Sequence, residues 1–231
     1  MKLLAIDTAT DACGVALWLD GTVVARSGVA PRGHAERVLP MIAEVLAEAG
    51  LALGALDAIA FGRGPGSFTG VRIATSVAQG LAFGAGLPVV AVSDLAALAQ
   101  GAGRLHGANR VIAALDARMG ELYCGAFVLD GARAPRAVGV EEVAAADAIA
   151  VPSGEGWFVA GPGWAAHGEA LRARLGLACA GGDGGLLPSA VDVAALGALG
   201  FAAGEARAPG SAQPVYLRDR VAEPKPGGGR A

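Results

Sequence analysis

Two aspartates occupy the same place in two similar stretches of this chain. Asp7 ends the apolar run Leu3-Leu4-Ala5-Ile6. A short polar turn follows it, then Cys13-Gly14, further apolar residues and Leu19-Asp20-Gly21. Asp116 ends a second apolar run and is followed in the same way by Cys124-Gly125 and Leu129-Asp130-Gly131. The Asp-to-Cys spacing is 6 in the first stretch and 8 in the second, and the two aspartates are 109 residues apart. That offset is too long for a solenoid repeat. Asp-Gly is a common turn, so two unrelated hairpins could share it, but the shared Cys-Gly favours a duplicated lobe. Paired carboxylates at the ends of such hairpins can hold magnesium and orient an attacking water or hydroxyl, which is phosphoryl-transfer chemistry.

The turns beside them suit that chemistry poorly. A phosphate needs close backbone approach and N–H or Lys donors. Thr8-Ala9-Thr10-Asp11 has no glycine and no lysine and adds a negative charge, and Ala117-Arg118-Met119-Gly120 is no better. Gly161 and Gly163 only partly suit the adenosine side. Asp7, Thr8, Thr10, Asp116 and Gly161 therefore outline a degraded nucleotide cleft, with structural aspartates the stronger reading. An ATPase or phosphotransferase using Asp7 and Asp116 remains the alternative.

The densest motif is Gly62-Arg63-Gly64-Pro65-Gly66-Ser67-Phe68-Thr69-Gly70. Its glycines permit sharp turns, and Ser67 or Thr69 can cap a following helix and leave N–H groups free for an anion. No Gly-Lys-Ser/Thr follows, and Pro65 breaks Gly-x-Ser-x-Gly, so it is neither a P-loop nor a nucleophile elbow. A plain strand-to-helix turn and a ligand contact stay equally open. His34, His106 and His167 lack partners at metal-ligand spacing, and no metal is expected. Cys13, Cys124 and Cys179 are odd in number and widely spaced, as suits reduced thiols in a core rather than disulfides or zinc.

The elements that must carry these residues follow from the pattern. Strands are expected at Lys2–Asp7, 13–19 and 22–27 with a hairpin turn at Asp20-Gly21, then at 57–62 and 88–92. Apolar spacing predicts a helix over 35–49 ending at Gly50, its proper start near Leu39 so that Pro40 falls in the first turn, and another over 71–83. Trp157–Ala160 reads as a strand, 165–175 as a helix, 181–185 as a flexible glycine loop, and 189–205 as a helix capped by Ser189. The uncharged stretch 73–93 is long enough to span a membrane. Its Thr75, Ser76, Gln79, glycines and Pro88 make it instead a buried helix, a turn at Gly84-Ala85-Gly86 and a buried strand. With no targeting signal either, a cytoplasmic protein is expected.

Composition agrees with a folded, non-basic protein. Of 231 residues, 54 are Ala and 37 Gly, 54% are hydrophobic and 17% charged, and the net charge is −3. So few charges exclude a disordered solvating chain, and the acidic balance argues against free-standing nucleic-acid binding. The helix pair 35–49 and 71–83, with small residues at Ala74, Ala78, Gly80 and Ala82, makes a protein–protein surface plausible. The organisation expected is an N-terminal lobe 1–105, a C-terminal lobe 106–188, a helix and return segment 189–222 between them, and a disordered tail 223–231.

Two lobes that each begin with a strand ending in Asp and an antiparallel hairpin describe an α/β protein of the actin, Hsp70 and sugar-kinase (ASKHA) fold, each lobe built on a mixed sheet. The chain resembles the bacterial TsaB family of tRNA threonylcarbamoyladenosine biosynthesis proteins (YeaZ-like, glycoprotease-like). The resemblance rests on Leu4-Ala5-Ile6-Asp7-Thr8-Ala9-Thr10, His34 ahead of Leu39-Pro40, and Gly64-Pro65-Gly66-Ser67-Phe68-Thr69-Gly70-Val71-Arg72-Ile73. It extends through Gly80-Leu81-Ala82, Val92-Ser93-Asp94-Leu95, Asp116-Ala117-Arg118 and Tyr216-Leu217-Arg218. It implies a non-catalytic scaffold that heterodimerises with the catalytic paralogue TsaD, assembles with the ATPase TsaE, and meets tRNA only through that complex. The complex transfers threonylcarbamoyl to the adenosine next to the anticodon of ANN-decoding tRNAs. It also implies a homodimer when the partner is absent, no cofactor, and a partner surface on the two helices, carried over to Val38, Met41, Val45, Ile73, Val77, Gly80 and Leu81. The paralogue's metal-binding His-x-x-x-His falls here on Asp94 and Leu98, and leucine cannot ligate a metal. The family's older name suggests a metalloprotease, for which the chain lacks ligands.

Overall fold

A computed structural model describes residues 1–29, 33–130 and 134–218. The expectations for the 223–231 tail and for Gly131 lie outside these residues. The first five strands are β1 (Lys2–Asp7), β2 (Ala12–Leu19), β3 (Thr22–Val29), β4 (Ala58–Gly62) and β5 (Val89–Val92), in the order β3-β2-β1-β4-β5. The sheet is mixed: β1, β2 and β3 pair antiparallel, and β1, β4 and β5 pair parallel. Asp20 (φ 49°) and Gly21 (φ 99°) turn the β2–β3 hairpin with both central residues left-handed, the geometry that matches strand twist.

Both faces of this sheet are covered, which is why β1 and β4 read as nearly continuous apolar runs. On one face lie the helices α1 (His34–Glu48) and α2 (Phe68–Ala85). Val38, Ile42 and Val45 of α1, with Ala74, Ala78 and Ala82 of α2, pack on Leu4, Ile6, Val15, Ile59 and Phe61. The alanine row lets α2 lie close to the strands. The opposite face is covered by a helix from the far end of the chain, described below.

After β5 comes α3 (Asp94–His106), then β6 (Arg110–Arg118), β7 (Glu121–Val128), β8 (Arg136–Ala145), β9 (Trp157–Ala160), α4 (Pro162–Leu175), β10 (Cys179–Asp183) and α5 (Ala190–Ala202). The second sheet has the order β10-β9-β6-β7-β8, with the same pattern of antiparallel and parallel pairs as the first. The last helix of each half crosses over. α3 follows the first sheet yet packs Leu95, Leu98 and Ala102 on the second. α5 follows the second sheet yet packs Ala190, Val193 and Ala194 on the first. The two meet where Arg104 clasps the buried Asp192 through two hydrogen bonds of 3.0 and 2.8 Å. Arg63 pairs with Glu141 of β8 at 3.6 Å, and Ser93 also donates to Glu141, so the halves are tied on a second side.

Several expectations need correction. Pro40 lies in the middle of α1 rather than its first turn. It and Glu36, whose carbonyl loses its helical donor, are both exposed, so water can take the place of the missing bond. α2 starts at Phe68 and runs to Ala85, and its left-handed cap is Gly86 alone (φ 69°). The glycine stretch 181–185 is not a loop throughout, because its first part forms β10. A Cβ at Gly182 would fall 2.4 Å from the Val159 carbonyl oxygen and 2.8 Å from the Trp164 ring, so close strand and helix approach demands that glycine. β8 and β10 carry no clear alternation, whereas α3, not among the expected elements, has Leu95, Leu98, Ala102 and Leu105 at helical spacing. Among the described residues no helix is long and apolar enough to cross a membrane.

Candidate functional site

The turn after β1 is occupied by its own chain. Asp7 Oδ1 accepts from the Ala9 amide at 2.8 Å, and the fully buried Thr8 donates its hydroxyl to the Gly70 carbonyl at 2.6 Å. The Ser67 amide donates to the Ala9 carbonyl at 2.7 Å, and Thr10 Oγ1 accepts from Ala12. The loop Gly64–Gly70 thus lies directly on this turn. A Cβ at Gly66 would sit 2.4 Å from the Ala9 carbonyl oxygen, and one at Gly70 would sit 1.9 Å from that of Thr8. Those two glycines are set by contact between backbones rather than by turn conformation. Ser67 caps α2 by accepting from the Gly70 amide at 3.3 Å. The Gly64–Pro65 peptide is cis, and Phe68 and Thr69 open the helix facing outward.

Asp94, the first residue of α3, anchors the same loop from below. Its carboxylate accepts from the Gly64 amide while its own amide donates to the Gly64 carbonyl at 3.1 Å. Asp7 and Asp94 are both buried and lie within hydrogen-bonding reach of each other. Asp7 Oδ2 and Asp94 Oδ1 have no other donor among the described residues. Burial pushes Asp7 up from the usual carboxylate range, although the Ala9 amide pulls it back. Burial pushes Asp94 well above that range, and the neighbouring Asp7 pushes it further. One proton held between the two carboxyls accounts for both orphan oxygens.

Asp116 has none of these partners. It accepts from the Arg118 amide at 2.8 Å and faces the Arg118 guanidinium at 3.4 Å, with 29% of its side chain exposed. Gly161 (φ 110°) sits between β9 and α4, where a Cβ would meet the Ala114 carbonyl oxygen at 2.5 Å and Leu98 at 2.6 Å. The cavity beside Asp7, about 180 Å³, is lined by Gly14, Ser27, Pro188, Ser189 and Ala190 among others, and includes neither Asp116 nor Gly161. It is smaller than the roughly 300–1,000 Å³ usual for a ligand pocket. Of Asp7, Thr8, Thr10, Asp116 and Gly161, only Asp7 lines this cavity. Asp94 and Leu98 are fully buried, and Leu98 packs beside Gly161.

The α1/α2 face is different. Val38 and Val45, expected at a partner surface, are completely buried against the sheet because the 3.6-residue period turns them inward. Met41, Ile73, Val77 and Leu81 are half-buried along the seam, and Gly80 is exposed. The outward apolar residues are Leu39 (52% exposed), Phe68 (52%) and Phe83 (80%), of which only Phe68 stood out in the sequence, as part of the loop motif. Reading the polar-side positions of both helices would have found the other two. Beside Phe68 a groove of about 440 Å³ opens, lined by Ala35, Arg72, Ile73, Ser76 and Val77.

Fold and site together define an α/β protein of two mixed sheets whose Asp7 carboxylate is held by its own chain and whose open surface is an apolar helix pair. Residues 22–167 match the family model "TsaD: tRNA N6-adenosine threonylcarbamoyltransferase". The chain is 46% identical over 232 residues to the tRNA threonylcarbamoyladenosine biosynthesis protein TsaB of Escherichia coli K12, covering 96% of each. It is 41% identical to the protein of that name from Haemophilus influenzae, covering 96% of this chain and 95% of the other. A solved structure, YeaZ from Pseudomonas aeruginosa, is 50% identical with a TM-score of 0.87, covering 94% of this chain and 99% of that one. The chain belongs to the TsaB family of tRNA threonylcarbamoyladenosine biosynthesis proteins.

Proposed function

We infer that this chain acts in tRNA threonylcarbamoyladenosine biosynthesis as a subunit without chemistry of its own, heterodimerising with a TsaD-like catalytic paralogue. The observation that carries this reading is the nearly full-length likeness to two curated TsaB proteins. The site supports it: the β1 turn is filled by the Gly64–Gly70 loop, and the apolar α1/α2 face offers exposed Phe68 and Phe83 to a partner. The identical strand order of the two sheets supports reading the lobes as duplicated copies of one actin-like unit. A TsaE-like ATPase joins the heterodimer, tRNA is met through the complex, and the chain alone pairs with itself through the same face. On this reading it works in the cytoplasm and binds no nucleotide of its own.

Co-expression with the TsaD-like paralogue, followed by size-exclusion chromatography at micromolar concentration, tests the reading. A stable one-to-one complex that the paralogue needs for threonylcarbamoyl transfer is expected. No complex, or full transfer activity without this chain, overturns it. Calorimetry of the isolated chain with magnesium-ATP should give no heat of binding; tight binding would favour the phosphotransferase alternative.

A further inference from the structure

The 18 residues of α2 contain one charged side chain, Arg72. It is exposed on the rim of the 440 Å³ groove, yet it is not free to sweep through solvent. Its guanidinium carbon lies 3.4 Å above the centre of the Phe68 ring, one helical turn earlier on the same face. From the other side Tyr216, in the C-terminal segment, closes to 5.4 Å, and its hydroxyl accepts from Arg72 Nε at 2.7 Å. The rings of Phe68 and Tyr216 are 5.7 Å apart, so the guanidinium is braced in an aromatic corner. Tyr216 is itself held in place, because the neighbouring Val215 amide donates to the Arg63 carbonyl at 2.7 Å. Among the described residues Arg72 has no carboxylate partner, and while Nε donates to Tyr216 neither Nη atom has an acceptor.

A guanidinium cannot shed its proton, and burying one unpaired is strongly unfavourable. Any partner that covers Phe68, Ile73 and Val77 covers Arg72 as well, so it must bring an acceptor. Two parallel N–H groups on Nη1 and Nη2 match the two oxygens of one carboxylate approaching end-on. Phosphate fits less well, because among the described residues Arg72 is the one cation lining the groove, beside apolar and hydroxylic neighbours. We propose that Arg72 is a pre-organised receptor for a single Asp or Glu side chain that the partner protein carries within an apolar surface laid on α2. That ion pair sets the register of the interface, while Phe68, Ile73 and Val77 supply its buried area.

The inference rests on the heterodimer reading above. Its test is the dissociation constant of the TsaD-like paralogue for the wild-type chain and for Arg72→Met, Arg72→Lys and Tyr216→Phe. Arg72→Met keeps most of the stem volume and should weaken binding at least 30-fold. Arg72→Lys keeps the charge but not the fork and should lose about tenfold, and Tyr216→Phe a few-fold. Circular-dichroism melts within a few degrees of wild type show that the variants fold. Alanine substitution of each acidic residue on the paralogue's surface should reveal one whose loss is at least tenfold smaller in the Arg72→Met background. If Arg72→Met binds within threefold of wild type, or no acidic residue couples to it, the inference fails while the heterodimer stands. If the wild-type chain itself does not bind, both fail together.

Discussion

The two halves of the molecule repeat one strand order, but their leading hairpins put the same residue type to opposite use. Asp7 ends the central strand β1 and Asp116 lies two residues before the end of β6, and each accepts the amide two residues on, at 2.8 Å. There the likeness stops. Asp7 is 3% exposed and lies with the buried Asp94, both carboxyls pushed up by burial, beneath a loop that fills its turn. Asp116 faces its own Arg118 in a more exposed turn, beside which Arg218 of the C-terminal segment pairs with Glu121. The connection after β4 explains the difference. In the first half, five residues from Arg63 to Ser67, with the first turn of α2 up to Gly70, lie over the β1 turn. In the second half the corresponding connection is Gly161 alone, too short to reach the β6 turn. A carboxylate under such a loop becomes part of the core, while one without it remains a surface residue.

The largest effect should come from breaking the contact between loop and turn. Gly70→Ala would place a Cβ 1.9 Å from the Thr8 carbonyl oxygen, where both sides are backbone and neither can yield. A loss above about 3 kcal/mol is expected, read as a fall in the urea midpoint or as insoluble protein. Gly120→Ala in the more exposed β6–β7 turn meets no atom within 4 Å; its left-handed φ of 80° should limit the loss to about 1 kcal/mol. Equal losses at the two sites would refute the asymmetry. Next is Asp94→Leu, which strips the acceptor from the Gly64 amide and the partner from Asp7. Two buried polar groups left unmatched should lower stability by about 2–5 kcal/mol; a melt unchanged from wild type would show that the pair bears no structural weight.

Legibility in the sequence followed the strength of local signals. The first three strands, the Asp20-Gly21 turn, the Ser189 cap and both long helices of the first half were readable, because alternation, turn chemistry and the 3.6-residue period are local. The loop Gly64–Gly70 was visible as a motif, but its two candidate roles could not be separated. What decides between them is contact with Thr8 and Ala9, more than fifty residues away. Asp94 entered only by alignment with the paralogue's metal position, since nothing near it in sequence announces a partner at Asp7. Val38 and Val45 came from carrying the family's partner surface onto α1, whereas the 3.6-residue period puts both on the apolar face that the sheet covers. β10 was lost to its glycines, which permit tight packing as readily as they permit flexibility.

A smaller effect separates the shared proton from ordinary packing. Asp7 and Asp94 both have pKa values raised by folding, so between about pH 4, where the unfolded carboxylates ionise, and the raised native values the folded chain holds more protons than the unfolded one. Stability contributed by the pair is complete below that window and is lost as the pH climbs through it. Asp94→Asn can still accept from the Gly64 amide and can donate to an ionised Asp7, so it removes the extra proton and keeps the geometry. Its melting temperature should fall less between pH 5 and pH 8 than that of the wild type. Parallel profiles would mean that no proton is shared.

The smallest effect should come from Asp116→Ala. Its ion pair with Arg118 joins a side chain that is 29% exposed to one that is 83% exposed. Pairs of that kind contribute at most about 1 kcal/mol and are screened by salt. What the substitution removes beyond that is one acceptor for the Arg118 amide, which solvent can replace because the turn is open. A stability loss within about 1 kcal/mol, with binding of the TsaD-like paralogue unchanged, is therefore expected. A loss as large as that of Asp94→Leu would give Asp116 a buried role the geometry does not show. A selective loss of transfer activity in the heterodimer, at unchanged affinity and stability, would restore it to chemistry and reopen the phosphotransferase reading. The comparison of the two hairpins is therefore most sharply tested at its weaker member, where a purely structural account leaves almost nothing to lose.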